Sequence, residues 1–169
     1  MIKVVITGAE CSGKTTLAEA LAQHYQVPLI PEYAREYLNN LDRPYLQSDL
    51  RHIAIGQLEL ENKYTAEDLI ICDTSMLVIK VWSQIKYNSV HPWLTMLYAD
   101  STPDLYLLPH WDIPYQADPL REHPSDRKML YDTYVNELSM QDAPWIAVSG
   151  SPIERLEKSV EQIENIIDG

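Results

Sequence analysis

The stretch Gly8-Ala9-Glu10-Cys11-Ser12-Gly13-Lys14-Thr15 matches G-x-x-x-x-G-K-[ST] at every fixed position. Glycines let a backbone wrap closely around an anion. Successive N–H groups, together with the N-terminus of a following helix, then bind phosphate oxygens. At this spacing Lys14 reaches the β- and γ-phosphates and the Thr15 hydroxyl ligates Mg²⁺, with Thr16 beside them in the first helical turn. A nucleoside triphosphate site is expected, lined by Gly8, Ala9, Glu10, Cys11, Ser12, Gly13, Lys14, Thr15 and Thr16. Cys11 reads as a small side chain tolerated in the loop, with a redox-sensitive thiol as the alternative.

Two carboxylates extend this chemistry. Asp73 ends the apolar run Leu69-Ile70-Ile71-Cys72. In open α/β sheets the carboxyl ends of strands face the ligand, so Asp73 is expected in the Mg²⁺ shell, with Thr74 free to cap the next helix. Glu32 follows the run Val27–Ile30 and is placed to accept the proton of an attacking hydroxyl or to orient a sugar diol. Arg35, one helical turn on, can pair with Glu32 or contact phosphate.

The segment Pro109–Pro124 carries Pro109, Pro114, Pro119 and Pro124, with Trp111, Tyr115 and Arg121 among them. Prolines at that density prevent a regular helix. A lid over about 109–127 is expected, able to close over the phosphates and exclude water, with Arg121 and Arg127 neutralising charge on the transferring group. Trp82 and Tyr115 can stack on a flat base, and Gln57 can hydrogen-bond an amide. The turn Ser149-Gly150-Ser151 is expected against adenine through its backbone.

Taken together, Gly8–Thr15, Pro31–Tyr37, Cys72–Thr74 and Asp112–Arg121 resemble the ribosylnicotinamide kinase domain of the NadR family, a P-loop kinase group. The resemblance implies ATP-dependent phosphorylation of a nucleoside-like hydroxyl, a sheet of nucleoside-kinase type, and Arg121 as the lid arginine. It selects nicotinamide riboside, phosphorylated on its 5′-hydroxyl to nicotinamide mononucleotide. Ser75 stands where the family often has an acid, and Tyr115 where it has tryptophan; both lie on the acceptor side. Multifunctional members add a DNA-binding and an adenylyltransferase domain, whereas this sequence starts at the kinase strand, so a single kinase domain over residues 1–169 is expected.

These residues need a scaffold that brings strand ends together. Five short apolar runs, Ile2–Thr7, Val27–Ile30, Leu69–Cys72, Leu105–Leu108 and Trp145–Val148, alternate with helical patterns. Continuous rather than alternating apolar runs fit strands buried on both faces, hence an α/β fold with a five-stranded parallel sheet sandwiched by helices. Helices are expected after Gly13, near Tyr33–Leu41, over Gln47–Thr65, Ser75–Ile85 and Ser125–Met140. A last one follows the capping box Ser151-Pro152-Ile153-Glu154, with Ile153, Leu156, Val160, Ile163 and Ile167 as its buried stripe.

Composition narrows the partners. The 25 acidic and 13 basic residues leave a net charge of −12, which disfavours a phosphate backbone and therefore nucleic acid. No apolar stretch approaches the ~18 residues of a membrane span. Cys11 and Cys72 build no disulfide framework or C-x-x-C pair, so a reducing cytoplasm is expected. Two other readings stay open: a GTP-switched or lipid-binding regulatory module, and a kinase for another nucleoside or a small alcohol. The guanine-reading pattern N/T-K-x-D fails at its last position in Asn62-Lys63-Tyr64-Thr65.

Overall fold

The strands of the sheet are mainly apolar, with Lys3 and Asp73 as charged exceptions, and their side chains divide by period two between two helical layers. The computed structural model describes residues 1–114 and 126–169. Strands β1 (Ile2–Ile6), β2 (Leu29–Ile30), β3 (Leu69–Asp73), β4 (Leu105–Pro109) and β5 (Trp145–Val148) pair in parallel in the order β2-β3-β1-β4-β5. On one face Val4, Ile6, Leu69, Ile71, Leu105 and Leu107 pack with Leu17, Ala18 and Leu21 of α1 (Lys14–Tyr25) and Ile163 of α7 (Pro152–Ile167). On the other, Val5, Ile70, Cys72, Tyr106 and Leu108 meet α4 (Met76–Tyr87) and α6 (Arg127–Ser139). A third cluster joins α2 (Tyr33–Asn39), α3 (Asp49–Asn62), α4 and α5 (Pro92–Asp100).

The parallel five-stranded architecture matches the expectation, and several details differ from it. Strand β2 is two residues long because Pro28 and Pro31 bracket it and neither can donate to a ladder. Helix α5 has no counterpart in the sequence reading. It starts at a His91 cap with Pro92 in its first turn and buries Leu94. The cap of α4 is Ser75, whose hydroxyl accepts from the Leu77 N–H, rather than Thr74, which has φ 78°. The capping box of α7 is present, but its buried face is rotated: Ile153 and Ile167 are exposed, while Arg155 and Ser159 are buried beside Ile163. Pro109 belongs to β4, and Arg127 opens α6, so both ends of the expected lid are regular structure. Among the described residues no helix is long and apolar enough to cross a membrane.

Helix α2 is set against α3 by a close approach. A Cβ at Gly56 would fall within the Tyr33 ring, and the buried Gln57 Oε1 accepts from the Tyr33 N–H at 3.0 Å. This contact fixes the start of α2, directly after Glu32. Gly56→Ala is expected to cost about 1–3 kcal/mol by overpacking and to displace Tyr33, read as a lowered midpoint in urea denaturation.

Candidate functional site

The phosphate-type loop leaves β1 at Thr7 and enters α1 at Lys14. Its turns use φ 137° at Gly8 and 84° at Gly13, where a side chain would be strained. Cys11 sits at φ 53°, which a non-glycine residue visits less readily. Gly13 caps α1 with no side-chain hydrogen bond, leaving the helix N-terminus to the loop. Lys14 Nζ donates to the Ala9 carbonyl at 2.9 Å.

The end of β3 is level with the loop, because β1 and β3 pair in register from Ile2–Leu69 to Ile6–Asp73. The Thr15 hydroxyl therefore reaches Asp73 Oδ2 at 2.6 Å. Asp73 is 5% exposed, and its Oδ1 has no hydrogen-bond partner among the described residues. A hydroxyl beside a buried carboxylate with a spare oxygen suits a hard, oxygen-seeking cation such as Mg²⁺. No group of three or more His, Cys, Asp or Glu side chains forms a self-sufficient metal site among the described residues. A cation here would draw further ligands from phosphate and water.

Loop, Glu32 and Arg35 line one cavity of about 340 Å³, with Trp82, Tyr45, Lys86, Ile113 and Tyr134 among its other walls. Glu32 is the residue preceding α2. Burial pushes its carboxyl up from the ordinary 4.5; Lys14 and Arg35 oppose this, while Asp73 and Glu10 add to it. Tyr134 of α6 is buried at this cavity; burial raises its phenol, and the Glu32 and Glu10 charges push it further. Burial likewise raises the Cys72 thiol, which makes it a core side chain.

Tyr45 has no signal in its own sequence neighbourhood, yet its ring stands 6.3 Å from that of Trp82, centroid to centroid. The loop carrying Tyr45 is pinned by Asp49, which accepts from Arg43, Tyr37 and the Leu46 N–H. Arg43 and the Leu46 N–H hold the Asp49 carboxyl well below the usual range despite burial. Lys86 Nζ lies 3.4 Å from the Tyr45 ring centroid. Gln57, expected at a base, does not line the cavity; its carbonyl oxygen is committed to Tyr33.

The remaining expected contacts divide. Arg127 donates from Nη2 to the Cys11 carbonyl at 2.9 Å, so it touches the loop itself. Ser149 and Gly150 do not line the cavity. The Gly150 N–H is taken by Asp112 Oδ2 at 2.9 Å and its carbonyl accepts from Arg155 Nε at 3.0 Å. Burial pushes the Asp112 carboxyl up, but the Gly150 N–H and Arg155 more than offset this and hold it low. Tyr115 and Arg121 lie outside the described residues.

Comparison with known proteins fits this geometry. A family model described as an AAA domain matches residues 3–155. The trifunctional NAD biosynthesis/regulator protein NadR of Salmonella typhimurium (strain LT2) is 29% identical over 174 residues, covering 97% of this chain and 42% of that protein. NadR of Escherichia coli (strain K12) is 30% identical over 154 residues, covering 86% and 37%. The chain thus spans less than half the length of these curated relatives. A crystal structure of NadR protein in complex with NR superposes with TM-score 0.70 at 22% identity, over 87% of this chain and 45% of that one. Deoxyadenosine kinase from M. mycoides, with products dcmp and a flexible dcdp bound, gives TM-score 0.64 at 14% identity over 99% of each chain. The fold is that of the P-loop kinases.

Proposed function

Since the chain belongs to the AAA domain family, as a NadR-like P-loop domain, we propose that it is an ATP-dependent kinase that phosphorylates the 5′-hydroxyl of a nucleoside, with nicotinamide riboside as the acceptor. One observation carries this reading: the phosphate loop and Glu32 line the same cavity, whose walls also include the aromatic pair Tyr45 and Trp82. The trifunctional NadR relatives and the NadR structure holding NR support the choice of acceptor.

In this reading loop N–H groups and Lys14 hold the ATP phosphates, and Thr15 and Asp73 would hold Mg²⁺, which would supply positive charge against that of the phosphates. Glu32 takes the proton of the acceptor hydroxyl. The oxygen attacks the γ-phosphorus, the bond to the β–γ bridging oxygen breaks, and ADP leaves. The raised Glu32 carboxyl is a stronger base than an exposed one, and the walls exclude water that would compete with the acceptor. Tyr45 and Trp82 stack on the base, with Arg35 at the ribose end. Arg127 steadies the loop through its hydrogen bond to the Cys11 carbonyl, and the family resemblance assigns Arg121 to the phosphates.

Asp73→Asn is expected to raise the Mg²⁺ concentration needed for half-maximal activity by about tenfold or more, the scale of losing a partner around a bound metal. A Mg²⁺ titration of ADP release reads this. The acceptor is tested by ADP release and nicotinamide mononucleotide formation, with adenosine, cytidine and uridine as competitors. No product from nicotinamide riboside, with product from another nucleoside, replaces the acceptor and keeps the kinase. GTP binding tighter than ATP with no working acceptor replaces the kinase with a regulatory module.

A further inference from the structure

We propose that Arg155 is a positioning residue for the phosphate loop, one that turns the Ser12–Gly13 peptide so that its N–H faces the bound nucleotide. The inference rests on the nucleotide-binding reading and assigns a role to a residue of the last helix that lines no part of the cavity. Arg155 is 4% exposed. Its guanidinium joins three segments at the carboxyl end of the sheet. Nη1 donates to the Ser12 carbonyl at 2.6 Å, Nε to the Gly150 carbonyl at 3.0 Å, and Nη2 to the His110 carbonyl at 3.1 Å and to Asp112 Oδ1.

The peptide unit gives this arrangement its consequence. In a planar trans peptide the C=O and the next N–H point in opposite directions. Ser12 lines the cavity and Arg155 does not, so the Ser12 carbonyl is drawn away from the cavity. The Gly13 N–H is thereby aimed towards it. Arg155 Nη1 and Ile113 Cδ1 each lie 3.3 Å from where a Gly13 Cβ would stand, so no side chain intervenes between guanidinium and loop. Asp112 fixes the guanidinium in turn: it accepts from Arg155 with one oxygen and from the Gly150 N–H with the other. A planar five-donor fork suits such a task, holding three carbonyls and a carboxylate in one orientation.

The test measures ATP and ADP dissociation constants by calorimetry at a temperature where each variant is folded, together with both Michaelis constants. Arg155→Met is expected to weaken nucleotide binding by about tenfold, the worth of one hydrogen bond to a charged group. The nucleoside KM should stay within about twofold, because the acceptor wall is untouched. Arg155→Lys keeps the charge without the fork and should recover part of the affinity. Asp112→Asn, at an exposed position, should weaken nucleotide binding in the same direction and keeps the idea testable if Arg155→Met folds poorly. A purely structural role predicts a lower thermal midpoint with nucleotide affinity unchanged in the folded protein, and that result overturns the inference. So does an equal rise in both Michaelis constants. If the unsubstituted chain binds no nucleotide, the functional reading falls first and the inference with it; binding by the parent with unchanged variants removes the inference alone.

Discussion

Lys14→Ala is expected to abolish phosphoryl transfer, lowering kcat/KM by at least about 10²–10³-fold, the scale of losing one preorganised group at developing phosphoryl charge. The size of the effect follows from where the ammonium stands. Lys14 is the first residue of α1 and lines the cavity, its Nζ held at the Ala9 carbonyl within the loop. A cation there opposes the helix dipole and gains its place only through an anionic partner. The resting bond to Ala9 is one hydrogen bond, worth about 1 kcal/mol, so far-UV circular dichroism should be unchanged. A coupled ADP-release assay on the folded variant checks this, and full activity overturns the role of the loop.

Glu32→Gln is expected to lower kcat by about 10²–10⁴-fold with little change in ATP affinity, because a general base acts mainly in the transition state. Its pH behaviour supplies two further readouts. Desolvation raises the folded-state value above the ordinary 4.5, so activity should fall as acid protonates Glu32 at a pH above the usual carboxylate range. The sign for stability is the reverse. Between 4.5 and the raised value the folded chain keeps a proton that the unfolded chain releases, so this group makes stability fall as pH rises across that window. Glu32→Gln removes that slope and should raise the thermal midpoint at neutral pH while it removes activity. Loss of ATP binding with kcat retained contradicts the assignment.

The parts of this site that the sequence makes legible are those written in adjacent residues. The loop from Gly8 to Thr15 is a contiguous motif, and Asp73 closes an unbroken apolar run, so both members of the Thr15–Asp73 pair are legible in the sequence. Arg155 leaves no such trace. Its partners are mainly backbone carbonyls at residues 12, 110 and 150, and carbonyls carry no residue type to recognise. A helical wheel over α7 also favours the isoleucines. Ile153 and Ile167 satisfy the period yet stay exposed, because Arg155 and Ser159 occupy the face turned to the loop and sheet. Tyr45 escapes for a different reason: it lies in a loop whose shape depends on Asp49, and a pinned loop has no period. Gln57 shows the converse, a plausible amide-reading side chain taken up by the neighbouring helix start.

The two margins of the sheet bear on how the protein behaves at high concentration. An unpaired strand edge invites a second chain to add to it, and among the described residues the sheet's edges are β2 and β5. Strand β2 offers two residues between Pro28 and Pro31, too short a template for another chain to extend. Strand β5 is longer, and there Lys158 of α7 donates to the Ala147 carbonyl at 2.8 Å, setting a charge on a group that a foreign strand would need. Both edges are thus obstructed by local chemistry, and with like charge on every copy they favour colloidal solubility over ribbon-like self-association.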